Sequence, residues 1–402
     1  MTNILRGGAR ILVGSAAGMV VALALTPVIT RLYSPSTFGA FGLLVAIAST
    51  FIGVSTLRLE IIALREHEYS SYAALALRGF KIAIATSLGV TAVAAAIAVT
   101  GNSTYLVIGP LILAGSLQLL GTSALSRDKK YSRLALGNFV QQSGMSAVHV
   151  ALGFTGSLWA LIAGFLVPRL VWARPALQLL RAPRTQISTP WRQAAPAGGS
   201  ALLNSLGSQL PVLLAGTFYG LTGSGFVALA QRVFAAPLQI VAQNMASASV
   251  AEVSELVRRD QTSAARGIIL RTARGLALIS IPAAIIAAVL APLLAGSVFG
   301  SSWEVVGQLI AALTFGTVAQ FCTAPFAQVL NLTGHSLKLL GWDSLRILSA
   351  VASLCIPGIL GASLVQTMLS YSLALSLVYL VLCALVLRAV QDPQTTQEEK
   401  IA

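Results

Sequence analysis

The chain has 402 residues, of which 56% are hydrophobic and only 9% charged, with a formal net charge of +14. Soluble globular domains are about one quarter charged, so most of this surface faces something other than water, and an ordinary soluble enzyme is excluded. The basic residues lie in small groups between apolar runs and do not gather on one face, so they read as the orientation signal of membrane insertion, with no nucleic acid as partner.

Apolar runs of about 20 residues, each able to cross a hydrocarbon layer of ~30 Å, recur along the length. Backbone N–H and C=O groups in hydrocarbon need internal partners, so these runs are helices, and the alternation of an outer-membrane barrel is missing. The runs predict about twelve spans near 9–30, 38–63, 80–100, 104–124, 134–154, 157–179, 197–219, 224–246, 268–292, 304–330, 338–357 and 362–387. The expected fold class is an all-α polytopic membrane protein, with two six-helix lobes around a central cavity.

In the first run, Arg6 and Arg10 precede Ala22-Leu23-Ala24, the pattern of a cleavable signal peptide. The apolar stretch continues through Ile29 to full span length, so retention as a first membrane helix is the expectation. Ser34-Pro35 before Gly39 predicts a tight turn capped by Ser or Thr, ending one span and opening the next. The second span carries Arg58 and Glu60, two residues apart and therefore on different helix faces.

The connections then alternate in charge. The N-terminal tail holds Arg6 and Arg10; the second connection Arg65 and Arg78; the fourth Arg127, Lys129, Lys130 and Arg133; the sixth Arg181, Arg184 and Arg192. The eighth holds Arg258, Arg259 and Arg266, the tenth Lys338, and the C-terminal tail Arg388 and Lys400. The odd connections, such as Gly101-Asn102-Ser103 and Gly300-Ser301-Ser302, have no Lys or Arg, and only Arg31 beside the first one departs. Positive residues stay on the cytoplasmic side, so both termini are expected inside and the number of spans even. No connection is large enough to fold as an enzyme, and a membrane-embedded polymerase or ligase would need a sizeable outer loop. Glu252, Glu255, Arg258, Arg259 and Arg266 with Val250, Val253 and Leu256 fit an amphipathic helix on the inner leaflet or an ordinary helix extension.

The basic, Pro-containing segment 181–196 divides the spans six and six. The expected domains are residues 1–180, a linker 181–196, a second lobe 197–390 and a tail 391–402. A faint echo supports two parallel halves: Tyr33, Gly39 and Leu43 match Tyr219, Gly225 and Leu229 at a constant offset of 186. Two such lobes suit alternating access, in which rocking opens a cavity to either side. The cysteines Cys322, Cys355 and Cys383 each lie inside an apolar run and read as core residues, with no metal centre. No G-x-x-x-x-G-K motif is present, so neither a nucleotide nor any other cofactor is expected.

The segment Thr30-Arg31-Leu32-Tyr33-Ser34-Pro35-Ser36-Thr37-Phe38-Gly39, followed by Leu57-Arg58-Leu59-Glu60, resembles the N-terminal signature of Wzx-type polysaccharide flippases. Ser208-Gln209-Leu210-Pro211, Gly225-Phe226-Val227-Ala228-Leu229-Ala230-Gln231-Arg232-Val233, Asn331-Leu332-Thr333-Gly334 and Trp342-Asp343-Ser344-Leu345-Arg346 continue the match in order. The wider superfamily exports drugs, lipid-linked oligosaccharides and polysaccharides. The resemblance implies export of undecaprenyl-pyrophosphate-linked oligosaccharide (for O-antigen, lipopolysaccharide or another surface glycan) across a bacterial inner membrane. It also implies membrane lipids, a polysaccharide polymerase and chain-length proteins as partners. The alternative is a cation-coupled small-molecule or multidrug exporter of the same superfamily.

Ionisable groups inside spans are costly and so carry a functional presumption. Arg232, Arg58 and Arg346, with Arg31 at the outer mouth, are the candidates for substrate binding, because guanidinium forks bind phosphate oxygens bidentately. Arg232 lies about 12 Å from its helix start at 1.5 Å per residue. Asp343 and Glu60 are the acidic candidates for ion coupling. Asp343 and Arg346, three apart, can also pair on one helix face. The topology has a direct test: in a Ser132→Cys variant the introduced thiol should resist a membrane-impermeant maleimide in intact cells and react in inverted vesicles. Labelling from outside would overturn the two-lobed reading.

Overall fold

The computed structural model describes residues 2–98, 103–183, 185, 187–238, 252–253, 255–257, 261–333 and 335–391. Nearly all of these are helical, with no strand among them. The helices are α1 (Thr2–Leu32), α2 (Pro35–Ser55), α3 (Leu59–Ile62), α4 (Tyr69–Ala98), α5 (Ile108–Arg127), α6 (Tyr131–Ala151), α7 (Leu158–Leu166) and α8 (Ala173–Gln178). They continue as α9 (Trp191–Ala230), α10 (Thr262–Phe299), α11 (Glu304–Thr323), α12 (Ala327–Leu332), α13 (Ser336–Ile359) and α14 (Leu364–Gln391). Of the expected inner-leaflet helix, Val250, Arg258 and Arg259 lie outside the described residues, as do Arg184 and the tail beyond residue 391.

Ten helical runs among the described residues are long and apolar enough to cross a membrane. One of them, Trp191–Leu238, has 48 residues, about twice what a crossing needs, and it breaks at Gly220, whose φ of 70° and ψ of −173° are not helical. It therefore supplies two crossings. The 21-residue α6 adds another; its Asn138, Gln141, Gln142 and His149 lower its apolar character without shortening it. Among the described residues twelve crossings result, the expected number.

Helix ends follow local chemistry. Ser34 caps α2, its Oγ accepting from the Thr37 N–H at 3.2 Å, with Pro35 at the first helical position. Three spans differ from the continuous helices expected. The second stops at Ser55; Leu57 and Arg58 take positive φ values of 51° and 58° before α3 begins. The sixth passes from α7 into a 3₁₀ stretch, Val167–Trp172, at Pro168, whose ring removes one backbone donor. The tenth tightens likewise at Ala324–Phe326, which contains Pro325. The third span begins at Tyr69, well before residue 80, because apolarity marks only the part in hydrocarbon and the helix extends beyond it.

The chain divides into two compact units, Met1–Gly225 and Phe226–Ala402. In hydrocarbon, helices gain little by burying apolar surface against each other, so close approach through small residues holds them together. In the first unit, a Cβ on Gly18 would lie 3.1 Å from the Phe139 Cα, and one on Gly14 would meet the Ala135 backbone, so α1 lies backbone to backbone on α6. Trp172, fully buried, fills the space left by Gly121 of α5 and Gly137 of α6. The seventh crossing packs on α2 through Gly53 against Ser205 and Gly216 against Leu43. Gly39 and Gly225, the pair in the sequence echo, face each other: a Cβ on Gly39 would run into the Leu221 carbonyl, and one on Gly225 into that of Pro35.

In the second unit, Gly307 of α11 sits against the Ala291 and Pro292 backbone of α10. The Gly316 N–H donates to the Ser372 Oγ of α14 at 2.8 Å. The indole of Trp342 donates to the Val378 carbonyl at 2.9 Å, tying α13 to α14.

Replacing a helical glycine by alanine ordinarily stabilises by about 0.5–1 kcal/mol. The neighbourhood reverses the sign at Gly39, where a carbonyl occupies the methyl position. Gly39→Ala should destabilise by about 1–3 kcal/mol, whereas Gly199→Ala, with open space around it, should be neutral or stabilising. Thermal unfolding of the purified variants in detergent separates the two.

Candidate functional site

The charged candidates fall into two groups, one in each unit. In the first unit, Arg58 and Glu60 flank Leu59 at the break after α2. Left-handed backbone at non-glycine residues costs on the order of 1–3 kcal/mol and concentrates at functional positions. The break sends the two side chains different ways: Arg58 is half-buried, whereas Glu60 is 2% exposed. Both Glu60 carboxylate oxygens, and the Oγ1 of Thr56, are buried without a hydrogen-bond partner.

Neighbouring helices fix this segment through its backbone. The Ser123 hydroxyl of α5 donates to the Glu60 carbonyl at 2.6 Å, and Ser123 is itself hydrogen-bonded to the Tyr72 hydroxyl of α4 at 3.0 Å. Arg127 donates to the carbonyls of Glu66 and His67 at 2.6 and 2.9 Å, with its guanidinium 4.6 Å from the Tyr72 ring centroid. Arg31, at the end of α1, is exposed and its guanidinium donates to the Pro27 carbonyl at 3.3 Å.

In the second unit, Arg232 lies in a five-residue π-helix, Gln231–Ala235. Such turns widen a helix by one residue and recur at functional sites. Its side chain is half-buried, and it is not without partners. Asp343 and Arg346 meet as the spacing allowed, with 3.3 Å between Oδ1 and Nη2 and side chains 19% and 9% exposed. The Arg346 guanidinium also stands 5.4 Å from the Trp342 ring centroid, and Trp342 packs on Tyr379 at 5.4 Å.

Sequence reasoning missed three polar arrangements in the first unit. The Trp172 indole donates to Gln141 Oε1 at 2.5 Å, and the Gln141 amide donates to Gln118 Oε1 at 2.9 Å. Arg169 lies 3.4 Å over the Phe165 ring and donates to the Phe165 carbonyl at 2.7 Å. The Tyr33 hydroxyl donates to the His149 carbonyl at 2.8 Å, joining α1 to α6. Only the second left a readable signal, an aromatic and an arginine four apart in one expected span. Asn138, by contrast, is helix glue, donating to Ser15 Oγ at 3.0 Å.

This architecture, twelve helical crossings with scattered embedded charge, is that of a polytopic helical membrane protein. Comparison with solved structures gives the same class. A multidrug resistance MATE family transporter of the MOP superfamily in its inward-facing conformation is 13% identical, with a TM-score of 0.62 and 96% of each chain covered. The Vibrio cholerae MATE transporter VcmN, solved as a point mutant, is 15% identical, with a TM-score of 0.61 and 97% of each chain covered. A MOP superfamily transporter from Pyrococcus furiosus, whose reversed binding-pocket polarity is said to suggest a different function, is 14% identical, with a TM-score of 0.58, 97% of this chain and 96% of that one covered. No curated protein sequence matches the chain. The model of the family described as "Polysaccharide biosynthesis protein" matches residues 28–308, and the chain belongs to that family.

The Asp343–Arg346 pair has a measurable consequence. Removing one partner of a buried pair leaves the other charge uncompensated, at a cost of about 3–5 kcal/mol. Asp343→Asn should therefore lower the unfolding temperature in detergent, and adding Arg346→Met should recover most of the loss. A double variant no more stable than Asp343→Asn alone would contradict this.

Proposed function

We propose that the chain moves an undecaprenyl-pyrophosphate-linked oligosaccharide from the inner to the outer leaflet of a bacterial inner membrane by alternating access, with both termini cytoplasmic. Membership of a polysaccharide biosynthesis family supports the cargo class. The observation that carries the reading is the guanidinium of Arg232, half-buried at a π-helical widening of an apolar crossing. A pyrophosphate presents the oxygens that such a fork binds bidentately. Arg58, Arg346 and Arg31 are the further cationic candidates, and the embedded charge is basic in excess, which suits an anionic cargo. A polymerase and chain-length proteins would then receive the flipped unit outside. The second reading, a cation-coupled exporter of small cationic molecules, draws on the fold shared with multidrug transporters. The excess of embedded guanidinium disfavours it.

Arg232→Ala should insert at normal levels yet lower flipping about ten- to a hundred-fold, since a hydrogen bond to a charged group contributes about 1.5–3 kcal/mol. Lipid-linked units should accumulate on the inner face while surface glycan falls. Arg232→Lys should retain part of the activity, because it keeps the charge and loses the fork. Normal glycan display in a well-expressed Arg232→Ala strain would remove this residue from the mechanism. Sensitivity of a deletion strain to cationic dyes, with unaltered surface glycan, would establish the exporter instead.

A further inference from the structure

We infer that the seam between α4 and the end of the sixth crossing binds a phospholipid with an anionic headgroup, held by Lys81, Arg174 and Arg181. The seam is built by apolar packing. Leu75 of α4 is buried in one cluster with Ala176 of α8 and with Leu179, which opens the 3₁₀ turn Leu179–Arg181 lying on α4. Outside that cluster the end of the sixth crossing turns a stripe toward lipid: Leu170, Arg174, Leu177, Leu180 and Arg181 recur at helical spacing and are all exposed, the leucines by 63%, 56% and 64%. On α4 no residue from 70 to 80 is exposed, and Arg78 there donates to the Thr189 hydroxyl of the linker at 3.0 Å. The lipid-facing stripe of α4 begins at Lys81 and continues through Ile84 and Leu88.

Depth sets these cations around one level of the bilayer. From Leu158, which opens α7, Arg174 lies about 24–27 Å along and Arg181 about 35–39 Å, at 1.5 Å per α-helical residue and 2.0 Å per 3₁₀ residue. From Ala98, the far end of α4, Lys81 lies about 26 Å along. Hydrocarbon is ~30 Å thick, so its boundary, where lipid phosphates begin, falls between Arg174 and Arg181, with Lys81 level with Arg174. Two guanidinium forks two turns apart on one face suit a phosphate placed between them, and Leu177 and Leu180 in the same interval suit an acyl chain. A charge inside a lipid-facing stripe is costly. Helical side chains lean toward the N-terminus, which for α8 points back into hydrocarbon, so Arg174 reaches water only against that lean. A lipid phosphate compensates it in place. Neither α4 nor residues 157–183 contain an acid, and among the described residues no acid pairs with any of the three cations. The ammonium of a zwitterionic headgroup therefore finds no carboxylate here, and charge complementarity selects an anionic headgroup such as phosphatidylglycerol.

The site requires no particular cargo or orientation, so it stands or falls apart from the proposed flippase reading. The full-length protein in a nonionic detergent is unfolded thermally with added phosphatidylglycerol, or with phosphatidylcholine of the same acyl chains. Phosphatidylglycerol should raise the unfolding temperature by several degrees over phosphatidylcholine, and high salt should diminish the difference. In the Arg174→Gln, Arg181→Gln double variant the affinity for phosphatidylglycerol should fall about thirty-fold, at about five-fold per basic residue. Arg133→Gln, which removes an exposed arginine of the fourth connection, should leave it in place. Should the double variant fail to fold, the wild type is crosslinked to phosphatidylglycerol carrying a diazirine near its headgroup, and peptide mapping should find the label on residues 170–181 and 81–88. Indifference to the headgroup, an equal rise with inorganic phosphate alone, a double variant that keeps the full preference, or label spread evenly over the lipid-facing helices would overturn the site.

Discussion

Hydrocarbon offers no hydrogen bonds, and that constraint governs this chain. Every backbone donor and acceptor in the bilayer must be satisfied within its own helix, so departures from helical geometry within the described crossings are few and placed. They occur at Leu57-Arg58, at the 3₁₀ stretches near Pro168 and Pro325, at Gly220 and at the π-helix carrying Arg232. The two candidate residues with the clearest chemical rationale, Glu60 and Arg232, each stand at one of these departures. A broken or widened helix is where a side chain can leave the regular packing of its neighbours.

The same solvent removes the usual driving force for packing. With lipid as apolar as leucine, contact area alone holds little together, and close approach takes its place. The glycines at positions 14 and 18 lay α1 on α6, those at 121 and 137 make room for Trp172, and Gly307 admits the α10 backbone. Few polar groups are left over: Asn138 finds Ser15, Trp172 finds Gln141, and Trp342 finds a carbonyl. Against that background of satisfied groups the Glu60 carboxylate stands out.

Fold similarity and family membership bear on different questions. The MATE structures share the helical architecture at 13–15% identity, which says how the chain is built. Which molecule such a scaffold could take depends on the charge inside, and among the described residues the embedded charge is mainly guanidinium. A lipid-linked pyrophosphate and a cationic drug would place opposite demands on the same scaffold.

The sequence by itself determined the class, the number of crossings and the pairing of Asp343 with Arg346. Each depends on a local or periodic property: apolar run length, charge alternation between connections, or spacing on one helix face. It also marked Gly39 and Gly225 as equivalent, without showing that they touch. Only the tertiary structure distinguished Glu60 from Asp343. The two look alike in sequence, each an acid near an arginine. Two residues of left-handed backbone turn Glu60 into the packing of α4 and α5 and away from any partner, and whether a buried charge is compensated depends on neighbours contributed by distant parts of the chain.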